Sequence, residues 1–450
     1  MEAVVLAAGK STRMKSRINK VLHKICNRPV LFYVVEALKP YPVHIVVNPD
    51  IHEAVRELFP EAQIHIQNQQ RGTGHALSCA IESIKDKGFV VVNGDTPLIN
   101  RQDIEAAVAL FEAEDLDCVV LTARMDNPSG YGRIVRNESG ITIVEEKDAN
   151  EQIRKINEIN SGIYVFKTPF VREALKHLEN NNAAGEFYLT DIVPMANRVK
   201  TLTVDAENVL GINTRNDLAL VRKIIQKRII ERFDDVTFID PDSTYVNYDV
   251  EIGQDTVIFP NVSLRGKTKI GKECIIDTGS VIEDSVLYDN VHVKPYSVIE
   301  QSTIHNNAEV GPFAHLRPYS ELCENVRIGN FVEVKKSTIG KGTKASHLTY
   351  IGDAELGEDV NVGCGTITCN YDGYRKNKTI IGDRVFIGSD VQLVAPVKVE
   401  HDALIAAGTT VVKDVEPFAL AISRVPQVNK PGWVKRFREK MEKKLGRKDK

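Results

Sequence analysis

Leu6-Ala7-Ala8-Gly9-Lys10-Ser11-Thr12-Arg13-Met14 is the first stretch of this chain whose residue types could do chemistry. Its small residues and single glycine let backbone N–H groups approach a ligand closely, and such groups bind phosphate oxygens. Arg13 and Lys20 add positive charge to the same loop. The string Gly9-Lys10-Ser11-Thr12 is not a nucleotide P-loop, because Val4 stands where that motif needs its first glycine. A tight strand–helix turn with a solvated Arg13 accounts for these residues equally well. Farther on, Val90-Val91-Val92-Asn93-Gly94-Asp95 sets a carboxylate just past an apolar run. Magnesium bound with nucleotide phosphates typically takes one or two carboxylates plus phosphate oxygens, so Asp95 is a candidate ligand. An Asp after Gly is also a common turn cap. Gln67 and Gly72-Thr73-Gly74-His75 form another such corner, where His75 reads as a packed or capping histidine.

Alternating elements must position these loops. Glu2–Leu6, His44–Val47, Ile64–Gln67 and Phe89–Val92 are short β-branched runs. Helix-like stretches lie between them: Pro29–Lys39, with Pro29 at the first helical position, then Ile51–Leu58 and Thr73–Ile84. The alternation predicts an α/β domain with a mostly parallel sheet covered on both faces, whose ligands sit beyond the carboxyl ends of the strands. Thr214–Phe233 reads as one linking helix, with Leu218, Val221, Ile225 and Ile229 at helical spacing.

Beyond it the chain is periodic. Ile252-Gly253 and Ile270-Gly271, like Val310-Gly311 and Ile328-Gly329, are eighteen residues apart. Leu356-Gly357 and Val362-Gly363, like Ile381-Gly382 and Ile387-Gly388, repeat at six. A period of six closing at eighteen describes a three-sided parallel β-helix of hexapeptide repeats. It is expected to run to about Val415, roughly nine coils at about 4.8 Å each. Three segments decorate it: His315–Pro318, Asn330–Lys336, and Ala345–Tyr350 followed by Gly365–Gly373; Asn370–Asn377 should bulge as a loop. The expected domains are 1–215, a linker helix 216–236, and 237–450 with a basic tail from Lys430 that holds the only tryptophan, Trp433.

Bulk properties exclude several classes. A net charge of -3 over 450 residues gives no nucleic-acid footprint, and no apolar run suits a membrane span. The N-terminus opens on a strand-like run, not a signal peptide. Seven cysteines without a Cys-x-x-Cys pair argue against a disulfide framework or structural zinc, and for reduced thiols in the cytoplasm.

Leu6–Met14, Lys20–His23, Gly72–Ala76 and Gly94-Asp95 resemble the sugar-nucleotide pyrophosphorylases. Gly130–Ile134, Val144-Glu145, Glu158–Gly162, Gly211–Asn213 and the prism segments narrow this to one family. The whole chain resembles the bacterial bifunctional N-acetylglucosamine-1-phosphate uridylyltransferases/glucosamine-1-phosphate N-acetyltransferases. The resemblance implies a Rossmann-like nucleotidyltransferase domain, a left-handed prism, and a homotrimer whose active sites form between neighbours. It implies acetyl transfer from acetyl-CoA to glucosamine-1-phosphate, then uridylyl transfer from UTP to N-acetylglucosamine-1-phosphate. The product would feed peptidoglycan and, where present, lipopolysaccharide synthesis.

By the same resemblance, Arg13 and Lys20 would stabilise pyrophosphate and transition state, and Asp95 with Asn213 would hold Mg²⁺. Leu6, Ala7, Ala8, Gly9, Gln67, Gly72 and Thr73 would receive the uridine end, with Asn93 and Gly94 beside it; Gly132, Glu145 and Asn160 would hold the sugar. His347 would be the base that deprotonates the amine, a role suited to an imidazole. Arg317 and Lys335 would bind the sugar phosphate, and Tyr350 and Asn361 the sugar. Cys364, Asn370, Tyr371, Ser389, Ala407 and Arg424 would meet acetyl-CoA, and Lys376 would reach a neighbouring subunit. Three residues depart from the family's pattern: Ser11 where glycine is usual, Asn19 where proline is common, and Cys364 where alanine is common. A serine held at φ > 0 costs about 1 kcal/mol. Altered affinity with the chemistry kept is the expectation.

A carbonic anhydrase on the same prism needs clustered histidines, whereas His292, His305, His315, His347 and His401 lie ten or more residues apart. The serious alternative is a single-function nucleotidylyltransferase whose prism only assembles it; His347 with Arg317, Lys335 and Tyr350 argues against it. A binding protein without catalysis has little use for Asp95 and Arg13 beside a glycine loop.

Overall fold

The computed structural model describes residues 1–137 and 140–445. The chain divides into two compact units, residues 1–233 with 246–248, and residues 234–245 with 249–450.

The first unit is built on strand β1 (Glu2–Ala7), all six residues of which are buried. A two-residue hairpin, β2 (Lys24–Ile25) and β3 (Arg28–Pro29), leads to helix α1 (Val30–Ala37). There follow β4 (Val43–Val47), α2 (His52–Leu58), β5 (Gln63–Ile66), α3 (Thr73–Ser78), β6 (Gly88–Asn93), α4 (Arg101–Ala113) and β7 (Cys118–Arg124). After β8 (Arg133–Asn137) and β9 (Gly140–Val144) come α5 (Glu151–Arg154), β10 (Glu158–Lys167), α6 (Thr168–Ala174), β11 (Val199–Thr203) and α7 (Arg215–Ile230). The main sheet has the order β11-β7-β10-β6-β1-β4-β5. Alternation along β1 makes two cores. Ala3, Val5 and Ala7 pack with Leu31, Val34, Ile104 and Phe111 on one face; Val4, Leu6 and Ala8 pack with Ala76, Leu77 and Val171 on the other.

The sheet is mostly parallel, as expected, with β10 alone in the main order running antiparallel to its neighbours β6 and β7. Two expectations are corrected. The helix from Thr73 stops at Ser78 and gives way to a 3-10 turn at Ile81–Ser83. Pro29 is the cap before α1, extended at φ -62° and ψ 153°, not its first residue. Helix α7 starts where Thr214 and Asp217 form a reciprocal capping box and buries the predicted Leu218, Val221, Ile225 and Ile229. It belongs to the first unit.

The second unit is three parallel sheets of 11, 10 and 9 strands, the arrangement of a left-handed parallel β-helix. Its strands run from Thr237–Phe238 to Leu420–Ala421, past the expected end at Val415. Each coil turns one apolar residue inward on each side; on one side Ile258, Ile276, Val293, Val310, Ile328, Ala345 and Val362 stack in register and are all buried. Corners turn through left-handed residues. Tyr296, Phe313, Phe331 and Leu348 have φ of 57°, 55°, 56° and 45°, and the first three rings stack at 5.5 and 5.3 Å. The basic tail continues into α8 (Trp433–Leu445), an exposed helix; 446–450 lie outside the described residues. Among the described residues no helix is long and apolar enough to cross a membrane.

Candidate active sites

In the first unit a cleft of about 490 Å³ opens at the carboxyl ends of β1, β5 and β6. It is lined by Leu6, Ala7, Ala8, Gly9, Arg13, Lys20, Gln67, Gly72, Thr73, Asn93, Asp95 and Asn213, all residues that the sequence singled out. The Gly94 N–H donates to Leu6 O (2.9 Å), so the loops after β1 and β6 are tied together. Ile212 N–H donates to Asp95 O (2.9 Å), which brings Asn213 beside Asp95. The buried Gln67 amide donates to Gly72 O (3.0 Å) and to His75 Nδ1 (2.9 Å), so His75 is a packed partner of the loop.

The charged centre is compact. Asn213 Oδ1 accepts from Arg13 Nη2 (2.7 Å) and from Lys20 Nζ (3.1 Å), and the same ammonium pairs with Asp95 Oδ2. Two oxygens from separate loops therefore converge on one cation. Ser11 sits at φ 57°, in the left-handed region.

A second group lies just before β8, just after β9 and on β10. A Cβ built at Gly132 would come 3.5 Å from Glu145 Oε2 and 3.6 Å from Asn160 Cβ, so these three residues are neighbours. Asn160 donates to Tyr164 Oη (2.8 Å), and the Thr190 hydroxyl donates to Glu145 Oε1 (3.3 Å). Burial is the main cause that holds the Glu145 carboxyl above its usual range. Asn93 joins this group to the cleft: its Nδ2 stands 2.1 Å from where a Gly162 Cβ would be. Tyr164 and Thr190 were not singled out by sequence, since a Tyr four residues on along a strand and a Thr in a 3-10 turn carry no spacing signal.

On the prism, His347 ends the strand Lys344–His347, directly across from Asn330 on the neighbouring coil. Asn330 Oδ1 lies 2.7 Å from His347 Nδ1. A carbonyl oxygen only accepts, so Nδ1 carries the proton and Nε2 presents its lone pair. His347 is exposed. Asn330 was within a decorated segment, but nothing in the sequence signalled that it faces the histidine.

Arg317, Lys335, Tyr350 and Asn370 occupy the next sheet. Arg317 Nη1 donates to Glu333 Oε1 (2.8 Å), and Glu333 and Lys335 pair across from Tyr350 and Gly352. Asn370 Nδ2 donates to Tyr350 Oη (3.4 Å) and Asp353 Oδ2 (2.6 Å). Lys335 has no ion pair among the described residues, which leaves a free ammonium beside Arg317. Cys364, Ser389 and Ala407 follow one another along a single edge: Asp390 N–H donates to Cys364 O (2.8 Å), and Gly408 N–H donates to Ser389 O (2.9 Å). Arg424 Cδ lies 3.9 Å from a Cβ position at Gly408. Tyr371 is in the exposed loop, with Lys376 Nζ 4.9 Å above its ring. Asn361 is not brought to this group within one chain; it pairs across from Lys344 and Phe386 on an outer face.

A nucleotide-type cleft in one unit and a prism bearing an exposed imidazole in the other define a two-site transferase. Residues 3–180 match the MobA-like NTP transferase domain family, and residues 241–320 match the GMPPB C-terminal domain family. A bifunctional protein GlmU of Pelobacter propionicus is 47% identical over 457 residues, covering 97% of this chain and 99% of the relative. That of Caldanaerobacter subterraneus is 48% identical over 444 residues (96% and 97%), and that of Listeria monocytogenes 45% over 447 (96% and 98%). The chain belongs to this GlmU family of bifunctional proteins. It is an enzyme of UDP-N-acetylglucosamine synthesis with uridylyltransferase and acetyltransferase activities.

Proposed function

We propose that uridylyl transfer takes place in the first-unit cleft and acetyl transfer at the His347 edge of the prism, by the residues described. The observation that supports this reading most is that two separate clusters, one gathering Arg13, Lys20, Asp95 and Asn213 and the other holding His347 against Asn330, stand on separate units. In the cleft, a phosphate oxygen of N-acetylglucosamine-1-phosphate attacks the α-phosphorus of UTP. The bond from that phosphorus to the bridging oxygen breaks, and pyrophosphate leaves. Charge spreads over phosphoryl oxygens, so the chain's work is positioning and neutralisation. Arg13 and Lys20 bear on the leaving pyrophosphate. The backbone from Leu6 to Gly9, with Gln67, Gly72 and Thr73, receives the nucleotide, and Gly94 lets the loops close. Gly132, Glu145 and Asn160 hold the sugar, and Asn93 links the two groups.

Asp95 and Asn213 would hold Mg²⁺. Their oxygens already converge on the Lys20 ammonium, a cation in their reach, and hard oxygen donors suit magnesium. Bound there, the ion would neutralise phosphate charge.

On the prism, His347 Nε2 takes a proton from the 2-ammonium of glucosamine-1-phosphate. The freed amine attacks the thioester carbonyl of acetyl-CoA; the C–S bond breaks, the nitrogen gives up its second proton as the amide forms, and the departing thiolate takes that proton to leave as the thiol. Arg317 and Lys335 hold the phosphate, Tyr350 the sugar, and Cys364, Asn370, Ser389, Ala407 and Arg424 the cofactor. Asn361, Tyr371 and Lys376 then serve a neighbouring copy in a homotrimer, and the enzyme works in the cytoplasm. His347→Ala should abolish acetyl transfer with UTP-dependent pyrophosphate release intact, and Asp95→Ala should do the reverse. Loss of both activities in either variant would defeat the two-site reading.

A further inference from the structure

Ser11 and Asn19 hold each other. The Ser11 hydroxyl donates to Asn19 Oδ1 (2.9 Å) and accepts from the Lys20 backbone N–H (3.0 Å). Asn19 Oδ1 also accepts from Val21 N–H (3.3 Å), and its Nδ2 donates to Gly9 O (3.1 Å). Three of these bonds tie the phosphate-side loop at Gly9–Ser11 to the start of the turn Lys20–Leu22, and the fourth, from Val21, braces the turn itself. Lys20, whose backbone is held by the first bond pair, is the residue that reaches Asp95 and Asn213.

We propose that Ser11 and Asn19 form one positioning device that sets Lys20 over Asp95 and Asn213, so that neither residue can be changed alone without loss. The backbone gives the physical reason. Ser11 is left-handed at φ 57°, a conformation that glycine adopts freely and serine keeps only under constraint. The hydrogen bonds to Asn19 and Lys20 supply that constraint. Asn19 sits at φ -61° and ψ 143°, where proline sits without strain, so its own side chain does by hydrogen bonding what a ring does covalently. Glycine at 11 with proline at 19 is thus a second, self-consistent way to build the loop. Each mixed pairing is deficient. Glycine beside Asn19 frees the backbone at position 11 with no proline ring to stiffen the far side of the loop. Proline beside Ser11 leaves the strained serine held only by the Lys20 N–H.

The proposal rests on the reading of Lys20 as a uridylyl-transfer residue. Its test uses full-length chains: the parent, Ser11→Gly, Asn19→Pro, the double variant, and Lys20→Ala. Each single change is expected to lower kcat for pyrophosphate release about five- to tenfold. The double variant should return to within about threefold of the parent, against the product of the single losses that independent sites give. Melting temperatures and acetyl transfer should stay close to the parent, which separates positioning from a general loss of fold. Asn19→Ala covers the case in which proline prevents folding; it should show the same single loss. Losses that multiply, or single variants as active as the parent, overturn the proposal while a dead Lys20→Ala leaves the site reading standing. A fully active Lys20→Ala overturns both.

Discussion

Replacing Asn330 by aspartate asks how the prism holds His347, the proposed base. Asn330 Oδ1 lies 2.7 Å from His347 Nδ1, and the imidazole is exposed. A full negative charge at that distance attracts an imidazolium by about 1.5 kcal/mol at the dielectric of water, equivalent to about one pH unit. The introduced carboxylate favours the charged ring over the neutral one. The acid limb of kcat for acetyl transfer should therefore move up by about one unit in Asn330→Asp, with a loss approaching tenfold near neutrality and recovery in mild alkali. Asn330→Ala removes one neutral hydrogen bond, worth about 1 kcal/mol, and should lower the rate about fivefold at every pH with the limb unmoved. Release of the CoA thiol from acetyl-CoA and glucosamine-1-phosphate between about pH 5.5 and 9 reads both, with pyrophosphate release as a control for folding. An acid limb that stays in place in Asn330→Asp would refute the assigned contact.

Two further outcomes are expected. Glu145 is held above its usual range by burial, so folding favours its protonated form; that contribution is complete below the unfolded pKa and is lost as pH rises through the folded one. Glu145→Gln should raise the melting temperature at pH 7.5 but not at pH 4, and should raise KM for N-acetylglucosamine-1-phosphate; equal melting at pH 7.5 would contradict the burial argument. Gly162→Ala puts a Cβ 2.1 Å from Asn93 Nδ2 at a backbone φ of 75°. It should cost about 1 kcal/mol or more and lower uridylyl transfer over tenfold with acetyl transfer intact; pyrophosphate release at the parent's rate would take Asn93 out of the site.

The sequence was most legible where one local rule decides the outcome. The hexapeptide period follows from one inward residue per side, and Ile258 through Val362 obey it. The cleft followed from loops at strand ends, because β1 and β6 are buried parallel neighbours whose small residues leave room beyond them. The direction of β10 was not legible, since reversing a buried strand leaves its apolar run unchanged. Helix α3 stops early although its apolar residues keep helical spacing as far as Ile84. The Asn330–His347 contact joins residues seventeen apart through coil stacking, and the Ser11–Asn19 bond depends on side-chain rotamers; spacing reports neither. Handedness came from resemblance, since a repeat length is the same in either hand.

The edge that carries Cys364, Ser389 and Ala407 advances by one strand spacing per turn of the chain, about 4.8 Å. Reach along this edge is therefore counted in whole steps. Turns gained or lost ahead of Asn307 would lengthen or shorten the molecule and leave the track beyond His347 intact. A turn lost between Cys364 and Ala407 would instead shift Arg424 inward by one fixed increment, and a thioester whose tail spans the present distance would overhang by that much.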